Sequence, residues 1–332
     1  MKLITTTFLL SAALGEAATL PPSRHPTPRA YQLTPQGLRL LHTPPTSRLA
    51  QSPAVSRIGS LNSSAASSEQ AQQQESTKGG AVLSLPSSNS SSSSITSITA
   101  TYQIPQAKVP TRGPTANNTF GIYAASFHVG IDSVGGPSPG CPTFLRAGVD
   151  IFYDGSLGDD DLQRPQAWWQ LGPLSDPVGF ANFSVREGDV VRVTAGVGEV
   201  KVENFGRPPP PASNGTAGVR AEGPGVPLQT SAVKLGGAGQ AGNPPPLCGR
   251  EAGWIVEDFP LAGLPGIPVA LADFGTVRFA DVRVQTSGGE EKNAEGAGLA
   301  DVWLQAQGGR LTDCEVAEGG NEVKCDRVFS SN

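Results

Sequence analysis

From residue 78 onward, apolar and polar residues alternate in short runs separated by clusters of Gly, Pro, Asn and Ser. A period of two puts every second side chain on one face of an extended strand, whereas a helix repeats every 3.6 residues. Residues 98–104, 149–153, 191–195, 277–279 with 282–284, and 302–306 each present one apolar face. No sustained helical period interrupts them, so the pattern predicts an all-β body, a sandwich or barrel of antiparallel strands. Residues 206–246 break the pattern with a Pro- and Gly-rich stretch opening Arg207-Pro208-Pro209-Pro210-Pro211. That composition predicts a surface loop insertion carrying one strand at 226–235. With no internal repeat and no second domain in view, one body over residues 78–332 is expected, a size that sandwiches tolerate.

The segment before this body has a different character. Lys2 is followed by an apolar run from Phe8 to Leu14 and by small residues at Gly15, Ala17 and Ala18, which predicts a signal peptide over residues 1–18. The run is far shorter than the roughly 20 residues of a membrane-spanning helix. A secreted, extracellular protein without a membrane partner is expected. Residues 19–77 are rich in Pro, Ser, Ala and Gln. They bury too little to offset their ordering entropy and read as a disordered pro-segment, with a plain linker as the alternative.

Charge sharpens that reading. Of 24 basic and 29 acidic residues, six basic and three acidic ones lie within the first 75 positions, which leaves the remainder eight charges negative. A basic leader before an acidic body suggests an inhibitory partner, the protein's own pro-segment, that detaches when acid protonates the carboxylates. The same balance argues against nucleic acid.

Four cysteines, Cys141, Cys248, Cys314 and Cys325, lie in the body of this exported chain and predict two disulfides. Three pairings exist. Cys314 and Cys325 flank Gly319-Gly320-Asn321 between strand-like runs, which favours a local staple and leaves Cys141 to Cys248. Five sequons, at Asn62, Asn89, Asn117, Asn182 and Asn214, fit a glycoprotein.

Only three histidines occur, and His25 and His42 precede the body, which leaves His128. A zinc site built on several His or free Cys is therefore excluded, and a Ser-His-Asp triad would have to use His128. A thiol nucleophile is disfavoured by paired cysteines. Pepsin-like Asp-Thr-Gly pairs and nucleotide-binding glycine loops are absent. No cofactor or metal is implied, and carboxylate chemistry or plain binding remains. The candidate carboxylates are Asp132, Asp150, Asp154, Asp159 to Asp161, Glu257, Asp258, Asp273 and Glu315. The Asp159 to Asp161 run reads as a solvated turn, with calcium binding as the sharper alternative. Glu257 and Asp258 follow the apolar Trp254-Ile255-Val256 and precede Phe259, a context that partly buries a carboxyl and perturbs its pKa.

These blocks together resemble the eqolisins, the fungal glutamic peptidases. Lys78-Gly79-Gly80 is similar to the family's Trp-Gly-Gly strand, and Ile98 to Pro105 to the next strand. Val129-Gly130-Ile131-Asp132, Gly148-Val149-Asp150, Ala167-Trp168-Trp169 and Glu187-Gly188-Asp189 match in order. Leu247-Cys248, Trp254-Ile255-Val256-Glu257-Asp258-Phe259 and Leu311-Thr312-Asp313-Cys314 follow. The resemblance implies a lectin-like (concanavalin A-like) β-sandwich of two antiparallel sheets, one bent into a cleft. It implies an acid endopeptidase, a monomer acting on polypeptide substrates, with a Glu as general base on water and a Gln amide orienting that water and stabilising the intermediate. Glu257 matches the Glu. The Gln position reads Arg146, and no Gln occurs between Cys141 and Asp150. Other cleft positions differ too: Lys78 and His128 stand where the family has Trp, and Gln170 where it has Glu. Asp132, Asp150 and Trp168 complete the expected cleft.

Arg146 near Glu257 would favour the ionised carboxylate and is a competent oxyanion donor, but the pairing would also occupy the base. Gln170, Gln163 or Gln166 are candidates to supply an amide from a neighbouring strand. Two further functions compete: a non-catalytic relative binding peptide or glycan against Trp168 and Trp169, and a two-carboxylate glycosidase using Glu257 with Asp150 or Asp132.

Overall fold

The computed structural model describes residues 29–34, 37–40, 75–86, 93–110, 121–134, 141–154, 164–172, 176–208, 225–235, 247–259, 261–262 and 269–329. The expected signal peptide, most of the leader, Asp159 to Asp161, Gln163 and the sequons other than Asn182 lie outside them. Among the described residues there is no α-helix. Two large antiparallel sheets pack face to face, as the alternation predicts.

One sheet runs in the order Gln229–Lys234, Glu199–Gly206, Val190–Gly196, Ile95–Gln103, Thr276–Thr286, Glu322–Arg327 and Thr312–Ala317. The other runs Gly298–Ala300, Lys78–Ser84, Glu251–Glu257, Ile122–Ile131, Phe144–Asp154, Gln166–Gly172 and Val178–Gly179. Between them lies one large core into which both inner faces alternate. Tyr102 from the first sheet meets Phe127 of the second, with its hydroxyl donating to the Phe127 carbonyl at 2.9 Å, and Trp254 Nε1 donates to Thr99 O at 3.2 Å.

The second sheet is unusual in its outer face. A sheet with one solvated face alternates buried and exposed residues, yet Ile122–Ile131 is buried at all ten positions and Glu251–Glu257 at all but the first. On the outer face Phe259 and Val269 cover Ile122, Ala124, Phe152 and Trp168 in a second apolar cluster. Further along, Ser133 and Val134 fold back over Gly130 and Gly253. A side chain at either glycine would collide with them. Polar residues between these two covers are therefore held away from bulk water.

Three elements differ from the sequence pattern. Residues 277–279 and 282–284 are one strand, Thr276–Thr286, whose register slips between Ala280 and Arg283 around Asp281 at φ 51°. A bulge adds a residue and breaks the alternation without ending the strand. Residues 302–306 hold only the short strand Trp303–Leu304, and a 3₁₀ turn, Gln305–Gln307, takes over before Gly308 and Gly309, both with φ near 100°. Within the leader, Arg29–Thr34 and Gly37–Leu40 form a hairpin, and Arg29 and Ala30 pair in parallel with Leu261 and Ala262. Backbone pairing can order residues that bury little apolar surface. The strand expected at 226–235 is Gln229–Lys234 at the edge of the first sheet.

Both expected disulfides are present, Cys141–Cys248 and Cys314–Cys325.

Candidate active site

The outer face of the second sheet collects the polar residues in register. Glu257 pairs with Ser126 and with Lys78 on its two neighbours. Ile255 pairs with His128, Ser126 with Asp150, His128 with Gly148, and Gly130 with Arg146. Next along, Arg146 pairs with Gln170 and Gly148 with Trp168. Because side chains alternate, residues two apart on these strands share the face. Glu257, Ser126, His128, Arg146, Asp150, Trp168 and Gln170 thus form one patch, and all of them are buried.

At its centre Arg146 Nη1 donates to both carboxylate oxygens of Glu257, at 3.0 and 3.3 Å. Arg146 Nε donates to Gln170 Oε1 at 2.7 Å. The guanidinium also lies 5.3 Å from the Phe144 ring centroid and 5.5 Å from that of Trp168, a cation–π arrangement that suits a desolvated Arg. His128 Nδ1 is 3.8 Å from Glu257 Oε2, and the His128 ring faces Trp168 at 5.7 Å. Trp168 Nε1 donates to Asp150 Oδ1 at 2.7 Å. Gly148 makes room for this packing, since a Cβ there would overlap Phe127 O and the His128 side chain.

The remaining expected residues are placed differently. Asp132, at φ 55°, turns its carboxylate to three backbone amides, those of Gly249 at 2.7 Å, Arg250 at 2.8 Å and Glu251 at 3.1 Å. It anchors the segment leading from Cys248 into the Glu257 strand. Lys78 lies beside Glu257 in register, but its ammonium donates to Ser133 O at 2.6 Å and ties down the turn that covers Gly130. Gln166 donates to Arg164 O at 3.4 Å, away from Glu257. Of the glutamines considered, Gln170 accepts from Arg146 Nε.

Sequence reasoning left out Ser126, Phe144 and Gln307. Ser126 follows once strand register is known, and Phe144 from its spacing of two from Arg146. No local signal marks Gln307, whose amide donates to Asp258 Oδ2 at 2.6 Å. Burial pushes the Asp258 carboxyl up to about 7, and the charge of Glu257 adds to this, while the Gln307 hydrogen bond and Arg327 oppose it. Among the described residues no third His, Cys, Asp or Glu joins His128 and Glu257 in a group that could hold a metal ion.

Chemically, this is a buried carboxylate with a guanidinium aimed at it. The fold and this patch define an all-β sandwich with a carboxylate-centred site on one sheet. The chain matches the Peptidase A4 family over residues 76–204 and 237–327 and belongs to it, the eqolisin or glutamic peptidase family. No curated protein matches the chain.

Proposed function

We propose that this protein is a secreted acid endopeptidase in which Glu257 is the general base on water and the Arg146 guanidinium takes the place of an amide as oxyanion donor. The observation that carries the reading is the 3.0 Å contact between a buried Arg146 and a buried Glu257 in a chain of the glutamic peptidase family. An ionised carboxylate is the form a base needs, and a neighbouring guanidinium favours it. Water accepted by Glu257 attacks a peptide carbonyl, the proton passes to Glu257, and charge developing on the carbonyl oxygen meets a cationic N–H donor. Gln170 orients that donor by holding Arg146 Nε. A polypeptide substrate follows from the family. Secretion is supported by the apolar leader, by two disulfides and by the family's usual location. The leader hairpin that pairs with Leu261 and Ala262, four residues beyond Glu257, supports a pro-segment acting near the site.

One observation favours a second reading, a non-catalytic relative that binds peptide or glycan. Arg146 contacts both oxygens of Glu257 and so competes with water for the base. Incubating the purified protein with a denatured protein from pH 2 to 6, beside Glu257→Gln and Arg146→Gln, separates the two. Cleavage by the wild type that is lost in Glu257→Gln supports the peptidase. Cleavage appearing only in Arg146→Gln identifies a site closed by its own ion pair, and silence in all three favours binding.

A further inference from the structure

The strand that carries Glu257 ends at that residue, and another piece of chain takes over its lane. Glu251–Glu257 pairs with Ile122–Ile131 only as far as Ser126. Beyond that point Ala270 and Leu271 pair with Tyr123 and Ala124, running in the opposite direction to the Glu257 strand. The lane thus has a seam directly after Glu257. Among the described residues, the Gln307 side chain bridges it. Gln307 Nε2 donates to Asp258 Oδ2 at 2.6 Å, while Gln307 Oε1 accepts the Leu271 amide at 2.9 Å. Asp258 is further fixed by its own amide, which donates to Thr77 O at 2.8 Å. On the far side of the seam Arg327 donates to Ala272 O at 3.3 Å and Leu271 O at 3.4 Å.

We propose that Gln307 and Asp258 are positioning residues for Glu257, forming a clip that closes this seam while Asp258 is protonated and loosens it when Asp258 ionises. The charged groups around Asp258 are Glu257 on its own strand, Arg327 from Glu322–Arg327, and Lys78 on the adjoining strand, with Asp273 beside Arg327. Arg327 gives its donors to carbonyls of Leu271, Ala272, Leu311 and Val328. Its hydrogen bonds therefore fix backbone, and it favours Asp258 ionisation only through its field, which burial outweighs. Ionised Asp258 is thus a buried carboxylate next to a second one, which burial and like charge both disfavour.

The direction of the pH effect follows from linkage. The folded-state pKa of Asp258, about 7, lies above that of an unfolded Asp, so the protonated form belongs to the folded state. Stability from this group is complete below the unfolded pKa, near 4, and is lost as pH rises through about 7. An enzyme built this way is assembled in acid and releases its base-bearing strand end toward neutrality.

The proposal rests on Glu257 being the base, and its test uses readouts that need no catalysis. Melting temperatures of the full chain and of Asp258→Asn are measured from pH 4 to 8.5, and the side-chain carboxyl carbons of Asp258 and Glu257 are followed by NMR over the same range. The wild type is expected to lose about 5 °C or more between pH 5 and 8, since 1 kcal/mol shifts Tm by roughly 2–4 °C at this size. Asp258→Asn, which keeps the oxygen facing Gln307, is expected to show no such loss. The Glu257 resonance is expected to shift at the Asp258 midpoint in the wild type and not in Asp258→Asn. Gln307→Leu, which removes a bond that holds the Asp258 pKa down, moves that midpoint higher. Parallel melting profiles for wild type and Asp258→Asn, or Asp258 titrating in the ordinary carboxylate range, overturn the proposal. Should Asp258→Asn not fold, the wild-type titration alone decides. An inactive protein with the expected titrations refutes the peptidase reading and leaves the clip standing.

Discussion

Arg146 and Glu257 lie 111 residues apart and on strands separated by a third, yet their side chains meet at 3.0 Å with both heads buried. Such a pair is expensive to break and not necessarily stabilising to keep. Desolvating two charges offsets most of their attraction, whereas removing one partner leaves the other buried and uncompensated.

Arg146→Ala is accordingly expected to lower unfolding free energy by about 3–5 kcal/mol. The Arg146→Gln/Glu257→Gln double variant, with no charge left in the pair, recovers a substantial part of that. Urea unfolding of the two single glutamine variants and the double variant at pH 5 checks this, with a coupling energy near zero as the contrary result.

Glu257→Gln is expected to reduce cleavage of a denatured protein at acid pH by about 10²–10⁴-fold, the usual contribution of a general base. Circular dichroism should remain that of the wild type, because the amide still accepts from Arg146. Activity within a few-fold of wild type would remove Glu257 from the chemistry.

Asp132→Ala leaves three backbone amides of residues 249–251 without their carboxylate. Bonds to a charged acceptor contribute about 1.5–3 kcal/mol each, so a loss of several kcal/mol is expected. Hydrogen exchange should rise first at Gly249 to Glu251, where the Glu257 strand begins. An unchanged exchange pattern counts against the anchoring role.

Gly148→Ala places a methyl group against Phe127 O and the His128 side chain. Backbone cannot yield as a flexible side chain can, so a cost of about 1–3 kcal/mol is expected, together with displacement of His128. Thermal unfolding and the His128 ring resonances report the two effects separately.

Reduction of Cys141–Cys248, which closes a loop of 107 residues, is expected to cost about 4–5 kcal/mol by loop entropy. Cys314–Cys325 spans 11 residues and is expected to contribute less, on the order of 3 kcal/mol. Melting of the two single-pair serine variants ranks them.

Alternation with a period of two is a local property, and it announced the strands, the all-β class and the large shared core without any knowledge of neighbours. The cysteine spacing gave both disulfides for a similar reason, since one pair sits across a single hairpin and the other follows by elimination. Local pattern failed where one residue changed the count. The bulge at Asp281 divided a continuous strand into two apparent ones, and Gly308 and Gly309 shortened the strand at Trp303. Through the family they resemble, motif order put Glu257 and Arg146 near each other, and their side chains do meet. Motif order could not say that Asp132 turns away to backbone amides, that Lys78 reaches Ser133, or that Gln307 joins Asp258 to Leu271. Those outcomes depend on strand register and on chain segments folding back over a face, and both are fixed only when residues distant in sequence compete for the same buried donors and acceptors.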